Sequence, residues 1–207
     1  MTEPLTKLLE IASVPFCPSA MADRRSGYSW PVWQKLLSQK NGFFAFESAL
    51  RVFPTETIEL SWGIGEWNGP SLWKDDYCGL ADNLYCFAED AFGGQFCISE
   101  TGVSRFDPES GALKQVADDL DGWASRLLSD CDGMTGYGTA HAWQAANGSL
   151  PPRCRLMPKQ PFVVGGTSEL ANLVAIDSVR LMKNMGNLAR QIHDLPDGSQ
   201  IKFEILH

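Results

Sequence analysis

Residues 84–99, LYCFAEDAFGGQFCIS, alternate in the manner of a β-hairpin. Tyr85 and Phe87 alternate with Leu84, Cys86 and Ala88. Beyond a loop holding Gly93-Gly94, Phe96 and Ile98 alternate with Gln95, Cys97 and Ser99. A period of two on either side of a glycine pair predicts two antiparallel strands. Two further runs, 103–106 and 112–116, follow the turn segments Glu100-Thr101-Gly102 and Asp107-Pro108-Glu109-Ser110-Gly111. The prediction is a four-stranded antiparallel meander that the rest of the chain must cover.

The covering elements follow a helical period in places. Residues 5–11 have a short helical pattern, whereas 14–28, with Pro15, Pro18 and Gly27, have none and are expected to form a loop on the core. Trp30-Pro31 opens a helix with Val32, Trp33, Leu36 and Leu37 on its apolar face, and Asn41-Gly42 closes it. Residues 43–53 fit helix in their first half and strand from Leu50, residues 57–62 are equally ambiguous, and 72–77 suit a helical turn. Residues 118–128 place Leu120, Trp123, Ala124, Leu127 and Leu128 on one helical stripe, with Asp118, Asp119 and Asp121 in the first turn. A loop at 130–138 leads to a helix at 139–147 with Ala140, Trp143 and Ala146 inward.

Residues 150–161 hold four prolines and read as an irregular linker. A strand at 162–164, a Gly165-Gly166 turn and a strand at 173–176 come next. Asp177 then caps a helix whose apolar face is Leu181, Met182, Met185, Leu188, Ala189 and Ile192, and a last strand spans 200–206. A unit of about 50 residues buries little by itself, so this strand-helix-strand extension, 150–207, is expected to pack on the meander. The whole chain, 1–207, is then one domain with a less regular N-terminal segment, 1–28.

Composition fits a globular chain: 207 residues, 44% hydrophobic and 20% charged. The net charge of -8 is unevenly spread. Residues 75–132 carry 13 Asp/Glu against 3 Lys/Arg, a net of -10, which leaves about +2 for the remainder. Such a field repels nucleic acid and anionic membrane and attracts a basic partner. The six cysteines form no CxxC pair, the first ten residues do not resemble a signal peptide, and no apolar run approaches membrane-spanning length. These features predict a reduced, cytoplasmic protein.

Catalytic patterns are lacking. The histidines are His141, His193 and His207, with no GxSxG, HExxH or EF-hand loop beside them. Neither glycine pair lies between a strand and a helix, as a phosphate loop requires. Among adjacent acids, Glu89 and Asp90 at the lip of the predicted hairpin are the best placed for paired-carboxylate hydrolysis; the competing reading is a solvated loop tip. No metal or cofactor site is expected. The remaining features are surface ones, an acidic meander and an aromatic, glycine-rich segment at 62–73, and they suit a binding protein. Its candidate contact residues are the acids Asp75, Asp76, Glu89 and Asp90, with Trp67 and Trp73 as anchors or, equally, as core filling.

The run FAEDAFGGQFCIS, 87–99, followed by a strand ending at Phe106-Asp107, resembles the central hairpin of the SUKH superfamily. NGFFAFESALRVFP (41–54), EWNGPSLWKDDY (66–77) and RLMPKQPFVVGG (155–166) are similar to its bacterial members. The resemblance implies an α+β fold with a twisted, mostly antiparallel sheet and flanking helices. It also implies a non-enzymatic role, typically an immunity protein that neutralises a cognate secreted toxin, often a nuclease or deaminase, by direct binding; the acidic surplus fits this independently, as a charge that would steer onto a nuclease-type toxin's basic groove. A scaffold of the cell-wall-regulator type within the same superfamily is the alternative. The chain itself is expected to be a monomer or a weak homodimer.

Overall fold

The computed structural model describes residues 2–18, 36–196, 198 and 199. The architecture is α+β. A six-stranded, wholly antiparallel meander is built from β1 (Phe43–Ala45), β2 (Leu50–Val52), β3 (Cys86–Glu89), β4 (Gln95–Ser99), β5 (Gly102–Phe106) and β6 (Leu113–Ala117), in that spatial order. The four predicted strands are present, and two more join their edge. The run Phe43–Ala45 is strand, because its backbone pairs Phe43 with Val52 and Ala45 with Leu50.

Alternation sends successive side chains to opposite faces. Gln95, Cys97 and Phe106 point one way and Phe96 the other, since Gln95 pairs with Phe106 and Phe96 with Arg105. On the Phe96 side lies α3 (Leu120–Ser129), whose Trp123 ring meets Phe87 at 4.9 Å and Phe96 at 5.6 Å. The N-terminal helix α1 (Glu3–Ile11) packs against α3 and buries Leu5 and Leu8. Asp119 caps α3 by accepting from Gly122 N. The other face is covered by the single turn α2 (Ile64–Trp67), the 3-10 turn Lys74–Tyr77 and the C-terminal helix α6 (Ser178–Ile192). Asp177 caps α6 through Val179 N and Arg180 N, and Leu181, Met182, Met185, Leu188 and Ala189 are buried as the periodicity requires.

Several local expectations change. Residues 130–138 contain a short helix, α4 (Cys131–Thr135), because Asp130 caps it through Gly133 N; α5 (Tyr137–Asn147) follows directly. The proline-rich linker contains a strand, β7 (Cys154–Pro158), which pairs with β8 (Leu173–Asp177) in a two-stranded ribbon. Residues 162–164 form a 3-10 turn and not a strand, since the carboxylate of Glu109 takes the N–H groups of Phe162 and Val163 at 3.0 and 2.8 Å. The ribbon is hydrogen-bonded to the meander's short β3–β4 connection through Leu156 N and Ala91 O at 2.8 Å. The expected opening of the second helix and the last strand, 200–206, fall outside the described residues; residues 36–39 are helical. No helix among the described residues is long and apolar enough to cross a membrane.

Candidate partner-binding site

The structure separates the six candidate contact residues. Trp67 and Trp73 are completely buried. Their rings form a continuous chain with Phe53, Tyr77 and Phe106 at centroid spacings of 4.9 to 5.7 Å, stacked at Phe53 and edge-to-face at Tyr77. Both indole N–H groups are satisfied internally, Trp67 by Gln95 Oε1 and Trp73 by the carbonyl of Trp67, each at 2.8 Å. They are core residues and offer no anchor to a partner.

Glu89 and Asp90 do not sit on a loop tip; both are fully buried. The β3–β4 connection is roofed over, with Ala91 bonded to Thr135 on one side and to Leu156 on the other. Two carboxylates in that position need charge compensation. Glu89 receives Arg51, which donates from Nε at 2.6 Å and also from Nη2. Arg51 Nη2 further reaches Ser178 Oγ at 2.6 Å. Asp90 is bound by Arg105, and its Oδ1 accepts from Phe92 N and Gly94 N at 2.9 and 2.8 Å. The two acids diverge into separate arginine sites and cannot share a substrate. Only Asp75, exposed, and Asp76, half-buried, keep the accessibility their candidate role requires.

A third arginine completes the buried cluster. Arg155 of β7 places Nε 3.0 Å from Glu89 Oε1, but poorly aligned, so the contact is electrostatic and not a hydrogen bond. Its Nη1 donates to Ser48 O at 3.3 Å and Cys154 O at 3.1 Å, while Nη2 finds no partner among the described residues. Burial, reinforced by the like charge of Arg51, pulls its pKa down to about 10.

Ser48 belongs to the most strained segment among the described residues. Phe46, Glu47 and Ser48 in the β1–β2 loop take φ of 52°, 50° and 71°, three consecutive left-handed residues without a glycine. Each costs on the order of 1–3 kcal/mol, and such strain persists only where surrounding contacts fix it. Here α5 supplies them. Tyr137 OH donates to Glu47 Oε1 at 3.2 Å, His141 Nδ1 lies 2.7 Å from Glu47 Oε2, and Gln144 Nε2 donates to the carbonyl of Glu47 at 2.8 Å. From below, Ala49 N closes the turn onto Phe46 O at 2.9 Å.

The result is an exposed patch on a rigid base. The side chains of His141 and Glu47 are 56% and 54% exposed. The Phe46, Tyr137 and His141 rings adjoin, with centroids 6.4 and 5.9 Å apart. The hydrogen bond from His141 holds the Glu47 carboxyl below the usual carboxylate range, and the Glu47 charge pushes the Tyr137 phenol up. Asp130 and Asp132, both exposed, cap backbone N–H groups at Gly133 and Gly138 beside it. The patch thus joins negative charge to aromatic surface around an imidazole whose Nδ1 is fixed by Glu47. Among the described residues no group of three or more His, Cys, Asp or Glu is arranged to hold a metal ion. Sequence reasoning passed over this patch. The available signal was Tyr137, His141 and Gln144 at i, i+4 and i+7, a polar stripe flanking the buried Ala140 and Trp143.

No family model matches the chain, and no curated protein matches it. Among solved structures the chain is similar to the crystal structure of Atu4351 from Agrobacterium tumefaciens. The TM-score is 0.59 at 12% identity, over 90% of this chain and 89% of that one. At that identity the likeness establishes a shared fold and nothing of activity.

Proposed function

We propose that this protein is a non-catalytic binding module of the immunity type, which neutralises a cognate nuclease-type toxin in the cytoplasm by covering its basic surface. The observation that carries the reading is the strained β1–β2 loop. Three left-handed residues, braced by Tyr137, His141 and Gln144, present Glu47 in one conformation. A contact group ordered in advance binds without a further ordering cost. Glu47, Asp130 and Asp132 give the patch the charge that steers toward a basic groove, and Phe46 and Tyr137 supply aromatic contact area. The SUKH-like hairpin sequence supports the same class of role. The arginine-bound burial of Glu89 and Asp90 removes the strongest pair for carboxylate hydrolysis. Six free thiols suit a reducing compartment.

The test is co-expression with the toxin domain encoded beside this chain's gene. Wild type should restore growth, and Glu47→Lys with Tyr137→Ala should abolish rescue while the protein stays folded by circular dichroism. Full rescue by that variant would remove the patch from the interface. Recovery of housekeeping proteins in place of a toxin would favour the regulatory-scaffold alternative.

A further inference from the structure

Helix α6 carries three cations, Arg180, Lys183 and Arg190, and no acid. All three are exposed, and none forms an ion pair with any described residue. They share one flank. At 3.6 residues per turn, Arg190 and Lys183 lie roughly 40–60° round the helix from Gly186, and Asn187 and Arg180 roughly 100–120° round. Gly186 marks where the neighbouring element touches: a Cβ there would stand 3.0 Å from the carbonyl oxygen of Asp76. The 3-10 turn Lys74–Tyr77 therefore lies against the middle of α6. The turn's own cation is withdrawn, because Lys74 is buried with its ammonium on Leu84 O at 2.5 Å. Its outward charge is that of Asp75 and Asp76, neither in an ion pair among the described residues. The basic flank of α6 thus adjoins the turn that bears Asp75 and Asp76, and no ion pair among the described residues joins the two.

A surface with both signs in adjacent rows is complementary to itself under a two-fold rotation, which lays each copy's acids on the other's bases. We propose that this seam is where two copies of the chain associate. A nucleic acid fits the basic row less well, since three cations neutralise few phosphates and the net charge of -8 opposes approach. Size sets the strength. Fifteen helical residues span about 22 Å, and with the adjoining turn the face covers roughly 400–500 Å² per copy, below the ~800 Å² of a standard stable interface. The dimer is therefore weak and salt-sensitive.

The test uses two charge-reversed forms of the full chain, Asp75→Lys/Asp76→Lys and Lys183→Glu/Arg190→Glu, with folding checked by circular dichroism. In sedimentation equilibrium, wild type should dimerise, and the association should weaken at least about tenfold between ~50 and ~500 mM salt. Each reversed form alone should be monomeric, since its seam is then all basic or, apart from Arg180, all acidic. Mixed in equal amounts, they should form a heterodimer, one seam wholly basic and the other acidic apart from Arg180. A monomeric wild type at low salt, a reversed form that still dimerises, or a mixture that stays monomeric would each overturn the proposal. So would binding of a 20-nucleotide DNA probe that is lost in Lys183→Glu/Arg190→Glu without any self-association. Residues of the β1–β2 patch are untouched, so toxin neutralisation is read separately.

Discussion

Arg51 and Arg155 converge on the same carboxylate, yet their replacement by methionine should have opposite consequences. Arg51 meets Glu89 with two well-directed donors and also holds Ser178 and the carbonyl of Leu60. Removing it leaves Glu89 buried beside a misaligned Arg155. Breaking a buried pair from one side costs about 3–5 kcal/mol. Some realignment of Arg155 offsets this, so Arg51→Met should cost about 3 kcal/mol, or roughly 6–12 °C in Tm for a chain of this length. Arg155 is different. Two of its guanidinium nitrogens have no hydrogen-bond partner among the described residues, and burial already disfavours its charge. Methionine fills similar space and leaves the Arg51–Glu89 pair intact, so Arg155→Met should change stability by less than about 1 kcal/mol in either direction. Urea unfolding followed by tryptophan fluorescence measures both. Equal destabilisation by the two variants, or a loss above about 2 kcal/mol for Arg155→Met, would refute this reading of the cluster.

Other outcomes follow from single contacts. Gly94→Ala should destabilise by about 2 kcal/mol or more, since a Cβ there strikes Asp90 Oδ2 and Arg105 Nη2; an unchanged urea midpoint would contradict it. Burial raises the Glu109 pKa above 4.5, so the folded protein holds the proton where the unfolded chain has released it. Stability should fall as pH rises from 4.5 through the raised value, and Glu109→Gln should flatten that slope in urea midpoints taken across the range. With iodoacetamide, exposed Cys78 should be alkylated quickly, whereas buried Cys86 and Cys97, the latter's pKa raised by burial, should label only on unfolding. Mass spectrometry of timed samples distinguishes them.

Much of the frame was legible because it rests on local rules. The strands from Cys86 to Ala117 announce themselves by alternation between turn residues, and α6 by an aspartate cap followed by a 3.6-residue apolar stripe. What was hidden depends on distant partners. Glu89 and Asp90 look like an exposed acidic pair until Arg51, 38 residues away, and Arg105, 15 residues away, are placed beside them. β7 was masked by the prolines around it, yet only Pro158 lies within the strand, opposite Leu173, and in a two-stranded ribbon both strands are edges, where a proline is tolerated. The strained loop gave no sign, because Phe46, Glu47 and Ser48 have no intrinsic preference for the left-handed region that contacts from α5 impose.

The proposed function is tested most directly by isothermal titration of this protein against the catalytic domain of the proposed cognate toxin, in wild type and Glu47→Lys. A tight, salt-weakened complex that Glu47→Lys loosens by at least about tenfold is the expected result. No heat of binding with wild type, or an affinity indifferent to both salt and Glu47→Lys, would contradict it.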